Sequence, residues 1–354
     1  MDLLEKTMGS ITRQDDLWRA NARQRLDNLC LPHWSLGRLM DLALDLAGMT
    51  RSMTPAVKRK AIITMAGDHG VVAEGVSKFP QEVTPQMVAN FVRGGAGINA
   101  LARQCGARVV VVDMGVAADL RHLAQAGKII DRKIGHGTAN IAEGPAMSRE
   151  QAVAAIEAGI EIAAQLGPDT DIFGTGDMGI GNTTPSTAIL AALTGAEVDT
   201  VCGRGTGLDD KQLTHKIGVI KRSLAVNRPN PDDALDVLAR VGGFEIGGIA
   251  GIILGAAAQK KPVVVDGFIS TAGALIAHGL KPEVRDYIIA AHRSMEPGHR
   301  LMQQRLGVEP LLDLNMRLGE GTGAALAMNV VEAAVHVLTD IATFAEAAVS
   351  EADK

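Results

Sequence analysis

Aromatic residues make up only 3% of this 354-residue chain. The core must therefore rest on Ala, Leu, Ile, Val and Met, and little is left for stacking nucleobases. No long basic run occurs and the formal net charge is −5, so the electrostatic grip that nucleic-acid binding needs is missing too. Cysteine is scarce: Cys30, Cys105 and Cys202 stand alone, with no CxxC and no metal-site spacing. They read as buried thiols of a reducing compartment. The opening MDLLEKTMGSITRQDD has no apolar core of a signal peptide. The longest apolar stretch, Ile246–Ala258, is short for a bilayer and rich in glycine. These absences predict a cytoplasmic protein with neither nucleic acid nor membrane as partner. The Walker pattern GxxxxGK[ST] is missing, which argues against a P-loop kinase, and no acidic residue about twenty positions after the glycine loop follows in the right βαβ setting, which argues against an NAD-dependent enzyme.

Glycine, by contrast, is abundant, at 40 residues, and it is spread through periodic segments. That pattern fits many tight strand–helix turns better than low complexity. Strands are predicted at Ala61–Gly67, Ala107–Gly115, Asp171–Gly176 and Pro262–Phe268. The unbroken run ARVVVVDMG suits a strand covered on both faces of a parallel sheet. Helices are predicted for Leu3 to about Leu29, from Thr84 (as N-cap) toward Gln104, and from Ser148 to Leu166 behind a capping box. Arg93–Gly97 (RGGAG) predicts a break or a close contact in the second of these. Further helices are read at 183–193, 209–225, 232–240, 245–259 and 270–278, and one or two cover 322–349.

Strand and helix alternate, which implies right-handed crossovers. The fold class is α/β, a doubly wound, mainly parallel, Rossmann-like sheet. In such sheets ligands bind beyond the carboxyl ends of the strands, where the glycine turns of this chain converge. Glycine turns before helices let backbone N–H groups reach a phosphate. GTGDMGIGNTT (Gly174–Thr184) and GRGTG (Gly203–Gly207) are of this kind, with a plain tight turn as the alternative. Arg204 or Lys216 can add charge to such a site, although a lysine in the helix after GRGTG also reads as a solvated face residue. Asp68-His69 reads equally as a catalytic pair or a structural one. Asp266 is read as a turn or helix-capping residue in preference to a catalytic one. His292, Glu296 and His299 in AHRSMEPGHR match no standard zinc spacing.

In RLGEGTGAA, Glu320 lies between two glycines where a long apolar helix begins. The position predicts an exposed carboxylate whose pKa is kept low by the helix start. Such a group suits accepting a proton from a substrate that turns acidic during reaction.

Six motifs in order, GDHGV (67–71), QEVTPQMVANF (81–91), DMGIGNTTPSTA (177–188), VVVDGFISTAGAL (263–275), HRSMEPGH (292–299) and RLGEGTGAA (317–325), resemble the nicotinate-nucleotide–dimethylbenzimidazole phosphoribosyltransferase family. The likeness runs through essentially the whole chain. It implies transfer of the 5-phosphoribosyl group of nicotinate mononucleotide to 5,6-dimethylbenzimidazole or a related base. The products are α-ribazole 5′-phosphate, the lower-ligand nucleotide of cobalamin, and nicotinate.

The resemblance also implies a homodimer, no cofactor and no metal. It implies a large α/β domain over 35–320 and a small helical domain from 1–34 plus 321–354. By motif position it puts the general base at Glu320 and a supporting carboxylate at Asp177, where the family's usual residue is Glu. Gly179, Ile180, Gly181, Asn182, Gly205, Lys216, Ser294 and Gly323 then meet the phosphoribosyl group. Gln86, Met87, Asn90, Met178 and Leu318 meet the base. The other reading of the same fold is a non-catalytic nucleotide-binding or sensor protein.

Overall fold

A computed structural model describes residues 3–350; the parts of the small-domain expectation at 1–2 and 351–354 lie outside the described residues. Six parallel strands form one sheet: β1 (Lys60–Gly67), β2 (Ala107–Gly115), β3 (Ile130–Asp131), β4 (Ile172–Met178), β5 (Val263–Val265) and β6 (Ile288–Ala290). Their order is β3-β2-β1-β4-β5-β6. Successive strands run outward from β1 to one edge, then from β4 to the other. The switch point is the β1/β4 pair, which opens a crevice at the strands' carboxyl ends.

β1 is buried along its whole length, as an unbroken apolar strand at the centre of a doubly covered sheet should be. Helices Arg149–Leu166, Phe244–Ala258 and Phe268–Leu280 pack together in one layer on the sheet. Helix Phe244–Ala258 is buried from end to end except at Ala258, which explains a segment with no polar face. The other layer holds Val83–Arg93, Gly97–Cys105, Arg38–Thr50 and Thr322–Asp340. Thr322–Asp340 is long and apolar enough to cross a membrane by length and composition, a feature not read from the sequence; 56% of that stretch is buried inside the protein.

The predicted capping box is present: Ser148 Oγ accepts from Gln151 N (3.2 Å) and Gln151 Oε1 accepts from Ser148 N (3.0 Å). The break at Gly94-Gly95 is present as well, separating Val83–Arg93 from Gly97–Cys105. Two expectations need correction. Thr84 is not the N-cap: the helix starts at Val83, and Thr84 is buried inside its first turn. The N-terminal helix is two, Leu3–Ser10 and Asp16–Asp27, the second capped by Asp15, whose side chain accepts from Leu17 and Trp18 N–H. At the C-terminus the reading of two helices holds: the first ends at Asp340, and Thr343 caps a single turn, Phe344–Ala347.

Candidate functional site

A cavity of about 450 Å³ opens at the carboxyl ends of β4, β5 and β6 and reaches the loop after β1. That volume is enough for a nucleotide-sized ligand. Its wall contains Asp177, Gly179, Ile180, Gly181, Asn182, Gly205, Ser294 and Leu318. Eight residues singled out in the sequence, from four separate segments, thus meet in one place. Ser77 and Phe79, which no motif marks, join them, as do Thr183, Phe268, His292, Glu296 and Arg317 from within the motifs already quoted.

At one end of the wall the MGIGN loop passes from β4 into helix Thr183–Thr194. Gly181 has φ +86°, a turn that favours glycine. The loop is fixed from behind. Ile180 N donates to Thr84 Oγ1 (3.1 Å), and Thr84 also hydrogen-bonds Asp68. Thr84 thus bridges the loop to the end of β1, a role hidden by its resemblance to an N-cap. Lys216 is fully buried, which removes the solvated-face reading. Its Nζ donates to Thr183 Oγ1 (2.6 Å) and, more weakly, to Gly203 O (3.4 Å). Burial pushes its pKa down, while Cys202 and Glu296 pull it back up. A cation, the start of a helix and two glycine turns converge here, an arrangement that can hold an anion. Arg204 instead pairs with Asp210.

Glu320 lies beside this cavity and not in its wall, which at that point is Arg317, Leu318 and Gly319. The exposed, low-pKa carboxylate predicted from its flanking glycines is not what forms. The residue is buried, and its pKa is raised: burial acts first, the Asp266 charge adds to it, and N–H bonds from Ile98 and Gly97 oppose it. The loop turns tightly enough to fold the side chain inward. Gly319, Glu320 and Gly321 all have positive φ (+89°, +64° and +100°). For a non-glycine residue this conformation costs on the order of 1 kcal/mol, a strain the surroundings must hold.

Three contacts hold it. Thr64 Oγ1 donates to Glu320 O (3.1 Å). Gly321 N donates to Asp266 Oδ2 (3.1 Å). Gly176 leaves room for the backbone, since a Cβ there would stand 2.2 Å from Glu320 O. The carboxylate Oε2 accepts from Ile98 N (3.0 Å), at the first turn of helix Gly97–Cys105. The helix start that steadies its charge is therefore this one, and not that of its own helix.

Asp177 and Asp266 are buried beneath the same loop. Burial and then the Asp266 charge push Asp177 well above the ordinary carboxylate range, against a hydrogen bond from Asn182 Nδ2 (3.0 Å). Asp177 is thus pushed toward its neutral form. Asp266 accepts from Gly321 N and from Ala324 N (3.0 Å). It caps helix Thr322–Asp340, as its preferred sequence reading has it.

The remaining expected residues lie away from the wall. Gly323 sits against His292, whose Cδ2 would be 2.1 Å from a Cβ there. Met178 packs against the core. Gln86, Met87 and Asn90 lie on helix Val83–Arg93, with Gln86 exposed and the other two half-buried. Leu318, which is in the wall, also faces the start of helix Gly97–Cys105, within 2.8 Å of where a Gly97 Cβ would be.

His69 is held in a buried pair. It is 1% exposed, outside the wall, and its Nε2 stands 2.7 Å from Glu245 Oε1. Burial opposes its charge, but Glu245 and Asp68 override that and raise its pKa. Glu245→Ala should cost about 3–5 kcal/mol, the range for one partner lost from a buried pair. Urea unfolding measures it; a loss below about 1 kcal/mol would show that the pair is not needed for folding. In HRSMEPGH, His299 is engaged at both nitrogens, by Ser294 N (2.9 Å) and Thr271 Oγ1 (2.9 Å). Burial lowers its pKa to about 3, so it orders the loop as a neutral ring.

Residues 11–349 match the model of a phosphoribosyltransferase family. The nicotinate-nucleotide–dimethylbenzimidazole phosphoribosyltransferase of Syntrophotalea carbinolica is 62% identical over 99% of each chain. The enzyme of the same name from Desulfotalea psychrophila is 61% identical over the full length of both. Among solved structures, CobT from Thermus thermophilus superposes with a TM-score of 0.91 at 46% identity, covering 95% of this chain and 100% of the other.

Proposed function

We propose how the cavity works from the premise that this chain belongs to the nicotinate-nucleotide–dimethylbenzimidazole phosphoribosyltransferase family. The protein is a pentosyltransferase. It moves the 5-phosphoribosyl group of nicotinate mononucleotide to 5,6-dimethylbenzimidazole or a related base, for cobalamin lower-ligand synthesis.

The donor's leaving group is a pyridinium. When its bond to the anomeric carbon breaks, the electron pair returns to the ring and neutral-ring nicotinate departs. No proton is needed on that side. The acceptor nitrogen's lone pair forms the new bond from the opposite face, so the β donor gives the α product. The ring becomes cationic as it attacks, and its other N–H becomes far more acidic. That proton passes to the Glu320 carboxylate, the step we assign to this residue. The observation that carries this assignment is the bend at Gly319–Gly321, which turns a single carboxylate inward beside the cavity.

Lys216, Gly205 and the loop Gly179–Asn182 take the phosphoribosyl group, with Ser294 and Gly323 bordering it. Leu318 and Met178 flank the base, and Gln86, Met87 and Asn90 face it. The burial of Lys216 beside Thr183 supports the phosphate end. The upward shift that burial gives the Asp177 pKa supports a role as hydrogen-bond donor near the ribose and not as a second base. We further propose a cytoplasmic homodimer that needs no cofactor. The small domain we assign to 1–34 and 321–354. Its support is that Arg25 Nε donates to Leu338 O (2.7 Å) and Cys30 N to Ala342 O (2.8 Å), which ties the two ends of the chain together.

The pH profile tests the base. A carboxylate must be ionised to accept a proton, so turnover is lost as pH falls through the pKa of Glu320. Because burial raises that pKa, the acid limb of kcat should lie above the ordinary carboxylate range. A kcat that stays flat down to about pH 4, near the ordinary glutamate value, would contradict the assignment.

A further inference from the structure

Glu296 has no part in the reaction described so far, yet it stands in the cavity wall beside the anion site. It lies in the loop after β6, 8% exposed, with its backbone N donating to Ser294 Oγ (3.3 Å). One carboxylate oxygen is satisfied: Oε1 accepts from Gly205 N (3.1 Å), in the GRGTG turn. The other is not. Oε2 is buried without a hydrogen-bond partner, and it lies so close to Gly203 that a Cβ there would be only 1.7 Å away.

The charged groups around it are Lys216 from helix Asp210–Asn227 and Arg317 from the loop before Glu320, with the Cys202 thiol facing from the GRGTG side. Neither cation comes within ion-pair distance of Glu296. Lys216 donates to Thr183 and Gly203, and Arg317 Nη1 donates to Gly205 O (3.0 Å).

Such an oxygen is costly as an anion, since a buried charge without a donor loses its hydration for nothing. As an acid, Oε2–H lacks only an acceptor, and a phosphate oxygen at Lys216 and Gly205 is one. A carboxylate there would instead repel the phosphate, both being anions in a poorly solvated corner.

We propose that Glu296 binds the donor as the neutral acid, donating its Oε2 proton to the phosphate, so that one proton is taken from solvent each time nicotinate mononucleotide binds. The idea rests on the phosphate site proposed above. Burial already raises the carboxyl's pKa in the empty protein, with Lys216 and the Gly205 N–H opposing it, and a bound phosphate raises it further. Donor affinity is therefore full below the pKa of the empty protein. It falls about tenfold per pH unit between that value and the pKa of the complex.

The test is calorimetry of nicotinate mononucleotide binding between about pH 7.5 and 8.5, where the free phosphate is already a dianion, in two buffers of different ionisation enthalpy. Wild type should take up a net fraction of a proton in part of this range, with donor affinity falling as pH rises. Glu296→Gln, which keeps a donor but cannot titrate, should take up none and show a flat affinity. At the upper end of the range it should bind more tightly than wild type. No proton uptake by wild type, or the same pH dependence in Glu296→Gln, would overturn the proposal. Lys216→Ala separates the two ideas. If donor affinity is unchanged in it, the phosphate is not there and both fail. If affinity drops while wild type takes up no proton, only the role of Glu296 fails.

Discussion

Glu320→Gln is expected to fold, to bind nicotinate mononucleotide, and to lose about 10²- to 10⁴-fold in turnover, the usual cost of removing a general base. The amide is nearly the same size and its oxygen can still accept from Ile98 N, now made by the carboxylate at 3.0 Å. The strained loop should therefore survive, because its backbone is held by Thr64, Asp266 and the space at Gly176. Only the basic lone pair is gone. The acceptor must then lose its proton to water in a buried site, or leave as a cationic ring. A steady-state assay with donor binding measured in parallel distinguishes this from unfolding. Retained donor affinity with full turnover would remove Glu320 from the mechanism.

Lys216→Ala should raise the Michaelis constant for the donor by about 10- to 100-fold, with a smaller effect on kcat. A charge-assisted hydrogen bond contributes about 1.5–3 kcal/mol, and each 1.4 kcal/mol is a factor of ten in affinity. The lysine holds Thr183 at the start of a helix and reaches Gly203 in the other turn, so its loss also loosens both loops. Lys216→Met, which preserves the buried stem, separates packing from charge. If methionine restores the constant, the cation is not what binds the donor.

Much of this is legible in the chain. The four longest strand signals and the glycine turns after them place the cavity on one edge of the sheet, because only a parallel doubly wound sheet gathers such turns together. β3 and β6 do not show. β3 is only two residues long, and β6, three residues like β5, is not followed by the glycine turn that marks β5. The state of Glu320 is hidden for a similar reason. Its flanking glycines imply freedom, but they serve an inward turn, and the helix it caps starts more than two hundred residues earlier in the chain, at Gly97. Lys216 carries no local sign of burial, since its helix has a mixed face and residues distant in the chain, among them Thr183 and Gly203, cover it. Glu296 stands in the sequence with two histidines as a doubtful metal pattern, which obscures its position against Gly205. Long-range contact decides each of these, and pattern alone does not report it.

The most direct measurement is product analysis after mixing the purified protein with nicotinate mononucleotide and 5,6-dimethylbenzimidazole. An α-linked ribotide with equimolar nicotinate is the predicted result. A β-linked product would contradict attack from the opposite face. No product, with the donor bound as calorimetry reads it, would contradict the account of the cavity as the site of transfer.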